Sequence, residues 1–371
     1  MSAPGRRIFL SPPFVGDAER EAVARAFDTG YVAPCGPMVD EFESRLAALA
    51  GRRHAVALSS GTAALDLAMA ELGVDTGWTV VAPTLTFVAT VGPAHRRGAK
   101  LVFADCDATG NVDVGLLGEA VEAAVRARGA ARTLVIGVDL YGRCCDYAAI
   151  ESLCARHGVR FVCDSAESVG ARAADGRPSG AAGAMAAYSF NGNKIVTTSG
   201  GGALLTDDDG VAARARKRSQ QSREACAWYE HREVGYNYRL SNLLASVGLA
   251  QLDRLGEIVA TRARIGRRYR DELARWNFLP PDAGGNNWLA VAFAPTRRLR
   301  DEALDRLAAA NVEARPVWKP MHLQPVFAGC ETRGGGVAES LFERGLCLPT
   351  GTGLSEDDQA RVIAAVKGGG A

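Results

Sequence analysis

Tyr188-Ser-Phe-Asn-Gly-Asn-Lys194, followed at once by Ile-Val-Thr-Thr-Ser-Gly-Gly-Gly202, sets one lysine between an apolar strand and a glycine-rich turn. An ammonium on such a tight segment sheds water and has no carboxylate beside it in sequence. Desolvation of this kind lowers a lysine's pKa and makes it nucleophilic toward an aldehyde. Lys194 is therefore a candidate Schiff-base lysine, although a lone lysine in a turn more often points into solvent.

Two upstream segments change that balance. Val159-Arg-Phe-Val-Cys-Asp-Ser-Ala-Glu-Ser-Val-Gly170 is an apolar run ending in Asp164, as a buried parallel strand does where it delivers a side chain to a site at its carboxyl end. A carboxylate there can hold a pyridine nitrogen protonated, which lets pyridoxal phosphate act as an electron sink; taken alone, Asp164 reads equally as a helix N-cap. In Leu58-Ser-Ser-Gly-Thr-Ala-Ala-Leu65, the strand His54 to Leu58 breaks into small residues and then a helical run. Gly61 allows close backbone approach, and a helix amino terminus offers free N–H groups to a phosphate.

The composition suits a large soluble core. The chain has 371 residues, 47% of them apolar, so two domains are expected. With 43 basic against 42 acidic side chains the net charge is +1, which points to neither nucleic acid nor a polyanion. Nine cysteines with no repeated Cys-x-x-Cys pair read as reduced thiols rather than a zinc site, and no metal is expected. The start Met-Ser-Ala-Pro-Gly-Arg-Arg lacks the apolar core of a signal peptide, no later run approaches a membrane span, and a cytoplasmic location is expected.

Val23, Phe27, Phe42, Leu46 and Leu49 fall at helical intervals around the turn Thr29 to Pro34. Strands are then expected at Thr79–Ala82, Lys100–Asp105, Thr133–Leu140 and Val159–Asp164, alternating with helices at Leu65–Leu72, Val114–Ala127 and Tyr147–His157. That alternation predicts an α/β fold with a mostly parallel sheet covered on both faces. Short strands at Met185–Phe190 and Gly202–Leu205 should flank the lysine, and helices should run over Arg239–Leu255 and Arg262–Trp276, the latter arginine-rich and read as a solvated face. A large domain over residues 1–257 and a smaller one over 258–371 follow, the second with a strand at Trp288–Phe293 and a helix at Arg300–Ala310.

These motifs, with Phe9-Leu-Ser-Pro-Pro13 and Trp318-Lys-Pro-Met-His322, make the chain resemble the DegT/DnrJ/EryC1/StrS family over nearly its whole length. The resemblance implies the aspartate aminotransferase fold (fold type I, with a large mixed sheet and a smaller α+β domain), pyridoxal 5'-phosphate and a sugar aminotransferase activity. Tyr229-Glu-His231 and Gly235-Tyr-Asn-Tyr-Arg-Leu-Ser-Asn242 make it look closest to the bacillosamine-forming branch. Such enzymes aminate C4 of a nucleotide-linked 4-keto-6-deoxyhexose, here expected to carry UDP or dTDP, with L-glutamate as donor and 2-oxoglutarate released.

Carried over residue by residue, the resemblance makes Lys194 the catalytic lysine and Asp164 the partner of the pyridinium. It gives Phe87 to the ring face, Gly61, Thr62 and Ser189 to the phosphate, and Glu167 to the phenolic oxygen. Glutamate replaces the commoner glutamine or histidine at 167, so its carboxyl must be protonated or face a donor. Asn237 matches an asparagine that reaches the phosphate of a neighbouring chain, implying a homodimer with shared sites. His231, Tyr236, Arg239, Trp318, Lys319 and His322 would line the sugar-nucleotide cleft, with Lys319 and His322 the two favoured. Amination at C3 or of a cyclitol ketone, a pyridoxal-dependent dehydratase or lyase, and a cofactor-binding regulator are the alternatives.

Overall fold

The computed structural model describes residues 6–368, so the first five residues of the amino-terminal stretch read above as lacking a signal-peptide core lie outside the described residues. Twelve strands occur among them: β1 (His54–Leu58), β2 (Thr79–Pro83), β3 (Lys100–Ala104), β4 (Thr133–Val138), β5 (Arg160–Asp164), β6 (Met185–Ser189), β7 (Gly202–Thr206), β8 (Asn277–Phe278), β9 (Ala290–Phe293), β10 (Arg315–Pro316), β11 (Glu331–Arg333) and β12 (Gly345–Leu348). Eight form one sheet in the order β1-β7-β6-β5-β4-β2-β3-β11. β7 runs antiparallel to both its neighbours, and every other pair is parallel. β2, β4, β6 and β7 are buried at every position, as strands covered by helices on both faces must be.

This order decides where the chemistry collects. Since β7 alone is reversed, the carboxyl ends of β1, β2, β4, β5 and β6 and the start of β7 lie on one edge. Val138 is registered with Asp164, and Gly202 lies between Leu58 and Ser189. The helix Gly61–Leu72 leaves that edge with Ser60 as its N-cap, whose Oγ accepts the Ala63 N–H at 3.0 Å.

The second sheet, β10-β12-β9-β8, is entirely antiparallel. Residues alternate along β9. Ala290 and Ala292 pack in a core with Ile265, Tyr269, Leu307 and Val362, whereas Val291 and Phe293 join the core of the large sheet. Helix Leu255–Glu272 starts before the expected helix and carries Arg262 into the interior, so this face is not wholly solvated. Helix Leu255–Glu272 spans the expected division at 258, and backbone pairing crosses it at several points, two of them being the bridge of Ile8 to Val312 and the pairing of β11 with β3 in the large sheet. Helix Asp209–Ser219 went unforeseen, because its arginine-rich sequence has little apolar periodicity.

Asp105 secures the pairing of β11 with β3. Its buried carboxylate accepts the N–H groups of Gly335 (2.6 Å), Val337 (2.9 Å) and Ala338 (2.9 Å) at the start of helix Gly336–Arg344, and that of Cys106 at 2.8 Å. Burial by itself would raise this carboxyl, but the four donors together hold it below the usual aspartate range. A depressed folded-state pKa contributes stability that is complete above about pH 4 and is lost as pH falls through the folded value. Asp105→Ala should therefore lower stability by about 3 kcal/mol at pH 7 and by progressively less below about pH 4, as read from urea unfolding at a series of pH values.

Candidate active site

A cavity of about 370 Å³ opens at the shared strand edge, lined by Ser60, Gly61, Thr62, Thr86, Phe87, Thr90, Asp164, Glu167, Ser189, Asn193, Lys194, Trp288 and Trp318 among others. Lys194, Asp164, Glu167, Phe87, Gly61, Thr62, Ser189 and Trp318, each expected from sequence, thus share one space. Lys194 is mostly buried. Its Nζ stands 3.6 Å from Glu167 Oε1 and 4.0 Å from the centre of the Trp288 ring. The lysine does have a carboxylate partner, brought by the loop after β5, which the local sequence could not reveal.

Two buried carboxyls face this ammonium, and a third lies beneath them. Asp164 is raised above its usual range by burial, a rise opposed by the Thr90 hydroxyl, which donates to Oδ2 at 2.7 Å, and by the Ala166 N–H on Oδ1 at 3.2 Å. Thr86 and Thr90 share a 2.6 Å hydrogen bond. Glu167 is likewise raised by burial and opposed by Lys194 and by the Tyr141 N–H, 2.8 Å from Oε2. Each of its oxygens therefore faces a donor, as a carboxyl at this position requires. Tyr141 takes a left-handed conformation (φ 53°) to present that N–H, its ring stacks on Trp318 at 6.0 Å, and its hydroxyl accepts the Trp318 N–H at 2.9 Å. Beneath, Asp139 is raised by burial and accepts from Tyr147 Oη (2.6 Å) and Ser168 Oγ (2.7 Å); nearby Cys145 and Cys163 are held as thiols.

The remaining expected residues lie elsewhere. Arg239 is buried in an ion pair with Glu43 and also donates to the Ala57 carbonyl, so it is not open to a diphosphate. His322 is pinned between Thr84 Oγ1 (2.6 Å) and Glu339 Oε1 (3.0 Å), which makes it a tie beneath the loop rather than a free ligand group. Tyr236 stacks on Tyr238 at 4.6 Å and accepts from Arg97 Nη2 at 2.9 Å, away from the cavity. Lys319 is exposed, and His231 is exposed with its ring on the Gln221 carbonyl. Asn237 is exposed on a ladder with Gln220, outside this chain's own cavity. Thr86, Thr90, Asn193, Trp288 and Tyr141 were not foreseen. For the threonines the signal was their four-residue spacing around Phe87.

The lining fits pyridoxal phosphate. The N–H groups of Gly61 and Thr62, at the first two helical positions, have no protein acceptor among the described residues, so a phosphate has donors waiting. Beside them the backbone is packed too closely for any side chain, since a β-carbon on Gly202 would lie 2.4 Å from Gly61 N. Phe87 is 49% exposed and shows its face to the cavity, with Trp318 5.4 Å away.

A part-buried lysine, a buried acid and free helix amides gathered on the carboxyl edge of a mixed α/β sheet are the arrangement expected of an aminotransferase of the pyridoxal phosphate class, fold type I. More narrowly, the chain belongs to the DegT/DnrJ/EryC1/StrS aminotransferase family, whose model matches residues 13–367. It is 42% identical over 368 residues to EpsN of Bacillus subtilis (strain 168), covering 96% of this chain and 94% of that one. It is 37% identical to the GDP-perosamine synthase of Caulobacter vibrioides, covering 97% of each. A solved family aminotransferase from Brucella abortus superposes with a TM-score of 0.86 at 31% identity, covering 94% of each chain.

Two outcomes follow from this geometry. Arg239→Ala should cost about 1–3 kcal/mol, since Glu43 keeps Arg216 and the Ala57 N–H as partners, with the KM of the folded fraction unchanged, measured by chemical unfolding and steady-state kinetics. Thr90→Val removes a hydrogen bond to the ionised form of Asp164 and raises that carboxyl further. The stability deficit of the cofactor-free variant should thus be larger at pH 8 than at pH 5, about 2 kcal/mol at most, and Thr90→Ser should restore it.

Proposed function

We propose that the protein transfers the amino group of L-glutamate to the C4 keto carbon of a nucleotide-linked 4-keto-6-deoxyhexose, giving a 4-amino-4,6-dideoxy sugar nucleotide. The observation that carries this reading is the single cavity joining Lys194, Asp164, Glu167, Phe87 and the free amides of Gly61 and Thr62. The sugar class is supported by relatives named for GDP-perosamine and for a dTDP-linked amino sugar. Those two names carry different nucleotides, so the reading extends to the nucleotide-linked class and not to one base.

Pyridoxal phosphate supplies an electron sink and carries the amino group between the two substrates. The protein's part is to hold it and to move protons. Gly61, Thr62 and the Ser189 hydroxyl would hold the phosphate, and Phe87 would pack against the ring. Asp164, which burial disfavours as an isolated anion, gains a cation when a protonated ring nitrogen sits against it. Glu167 would orient the phenolic side from its fixed seat on the Tyr141 N–H.

Lys194 Nζ would take the proton from the glutamate α-carbon and later return one to the sugar carbon, with Glu167 3.6 Å away to balance its charge. Trp318, from the smaller domain of residues 258–371, lines the cavity together with residues of the large domain, 1–257, and the exposed Lys319 follows it in the chain. Asn237 and His231 lie on a segment that also exposes Trp228 and Tyr229, and in a homodimer this segment completes the site of the second copy.

The test is an absorbance titration of the purified holoenzyme. Glutamate should bleach the cofactor band, and a 4-keto-6-deoxy sugar nucleotide should restore it, with Lys194→Ala slower by about 10³-fold or more. A band indifferent to glutamate overturns the reading, and restoration by 3-keto sugars alone overturns the C4 assignment.

A further inference from the structure

Arg262 is an unusual cation. Its side chain lies in the interior with 1% of its surface exposed, and no carboxylate pairs with it among the described residues. Burial draws the guanidinium down to about 10. All three of its hydrogen bonds go to neutral oxygens: Nη1 donates to Ser11 Oγ (3.1 Å) and to the Trp288 carbonyl (2.9 Å), and Nε donates to Thr352 Oγ1 (3.3 Å). A buried charge left without a counter-ion is costly, so its retention calls for a use.

The use lies one bond further on. Ser11 accepts from Arg262, and its single hydroxyl proton goes to the carbonyl of Asn193 at 2.7 Å. Trp288, whose carbonyl accepts from the same guanidinium nitrogen, donates its indole N–H to that same Asn193 carbonyl, also at 2.7 Å. Thr350 Oγ1 adds a bond to the Trp288 carbonyl at 2.6 Å. Four residues thus form a closed ring, Arg262–Ser11–Asn193–Trp288, drawn from the amino-terminal segment, the lysine turn, helix Leu255–Glu272 and the stretch before β9. Asn193 immediately precedes Lys194, and the face of Trp288 lies against the Lys194 ammonium.

We infer that Arg262 is a positioning residue for the catalytic lysine: through Ser11 and Trp288 it fixes the peptide before Lys194 and, with it, the path of the side chain. The guanidinium strengthens both arms, because charge-assisted donors polarise the groups that accept from them and a closed ring reinforces each bond. Displacement of a reacting group by about 1 Å costs on the order of 10²-fold in rate, which gives such a ring its leverage. The inference rests on the reading of Lys194 as the cofactor-binding lysine.

Ser11→Ala isolates the effect. It removes one arm yet leaves the Asn193 carbonyl with the Trp288 N–H and Arg262 with the Trp288 carbonyl, so no buried group loses its last partner. The cofactor-free variant should melt within about 2 °C of wild type. The holoenzyme should release cofactor more readily, with the Kd from equilibrium dialysis up about fivefold, and should show kcat with glutamate down about tenfold at a KM within twofold of wild type.

Arg262→Lys should show a larger fall, and adding Ser11→Ala to it should change kcat less than twofold, since the ring is already open. An unchanged kcat and Kd in Ser11→Ala overturns the inference, as do effects of the two substitutions that multiply. Should Arg262→Lys fail to fold, Ser11→Ala decides alone. Borohydride fixation of the cofactor on wild-type protein, followed by peptide mass mapping, separates the two levels. Attachment away from Lys194 overturns the parent reading, whereas attachment at Lys194 beside an unaffected Ser11→Ala overturns only the positioning role.

Discussion

At Gly202 the strand returning from the lysine turn passes so close to helix Gly61–Leu72 that a β-carbon would stand 2.4 Å from the Gly61 nitrogen. The approach is forced from both sides, because Gly202 is registered with Leu58 and with Ser189 at once. From it come the nearness of the free helix amides to the lysine, the placing of Ser189 beside them, and the return of the chain that confines Lys194 to a short turn. Any side chain at 202 would push the start of helix Gly61–Leu72 away from the lysine turn.

The second constraint is electrostatic. Asp164, Glu167 and Asp139 lie within one dehydrated region, all three are raised by burial, and a single lysine ammonium faces two of them. Donors keep this arrangement tolerable: the Thr90 hydroxyl and the Ala166 N–H on Asp164, a backbone N–H on Glu167, and a tyrosine and a serine on Asp139. Such a region would favour a cationic ring nitrogen over a neutral one.

What the sequence disclosed followed from locality. The strand runs, Asp164 at a strand end, the Ser-Gly-Thr turn and the isolated Lys194 are all legible within a few residues, and their convergence follows once the sheet is taken as parallel. The contacts it did not disclose involve partners distant in sequence. Arg239 looked like an anion ligand because Glu43 lies far from it in the chain, and His322 looked free because Thr84 and Glu339 arrive from other elements. Arg262 was absorbed into an arginine-rich surface helix, since nothing in a run of like charges marks the one that points inward. Trp288 was placed on a strand with no hint that its ring would meet the lysine.

The pairing of β11 with β3 bears on how the molecule comes into being. β3 is made early and one of its sides stays bare, with unpaired backbone donors and acceptors, until a three-residue strand from the final quarter of the chain arrives to cover it. Exposed strand edges recruit other chains, so the nascent protein carries a sticky border through most of its synthesis. Asp105, directly after β3, captures the helix that follows β11 and so fastens the cover as it lands. The clamp that holds the mature fold together thus also ends the period in which the growing polypeptide is open to aggregation.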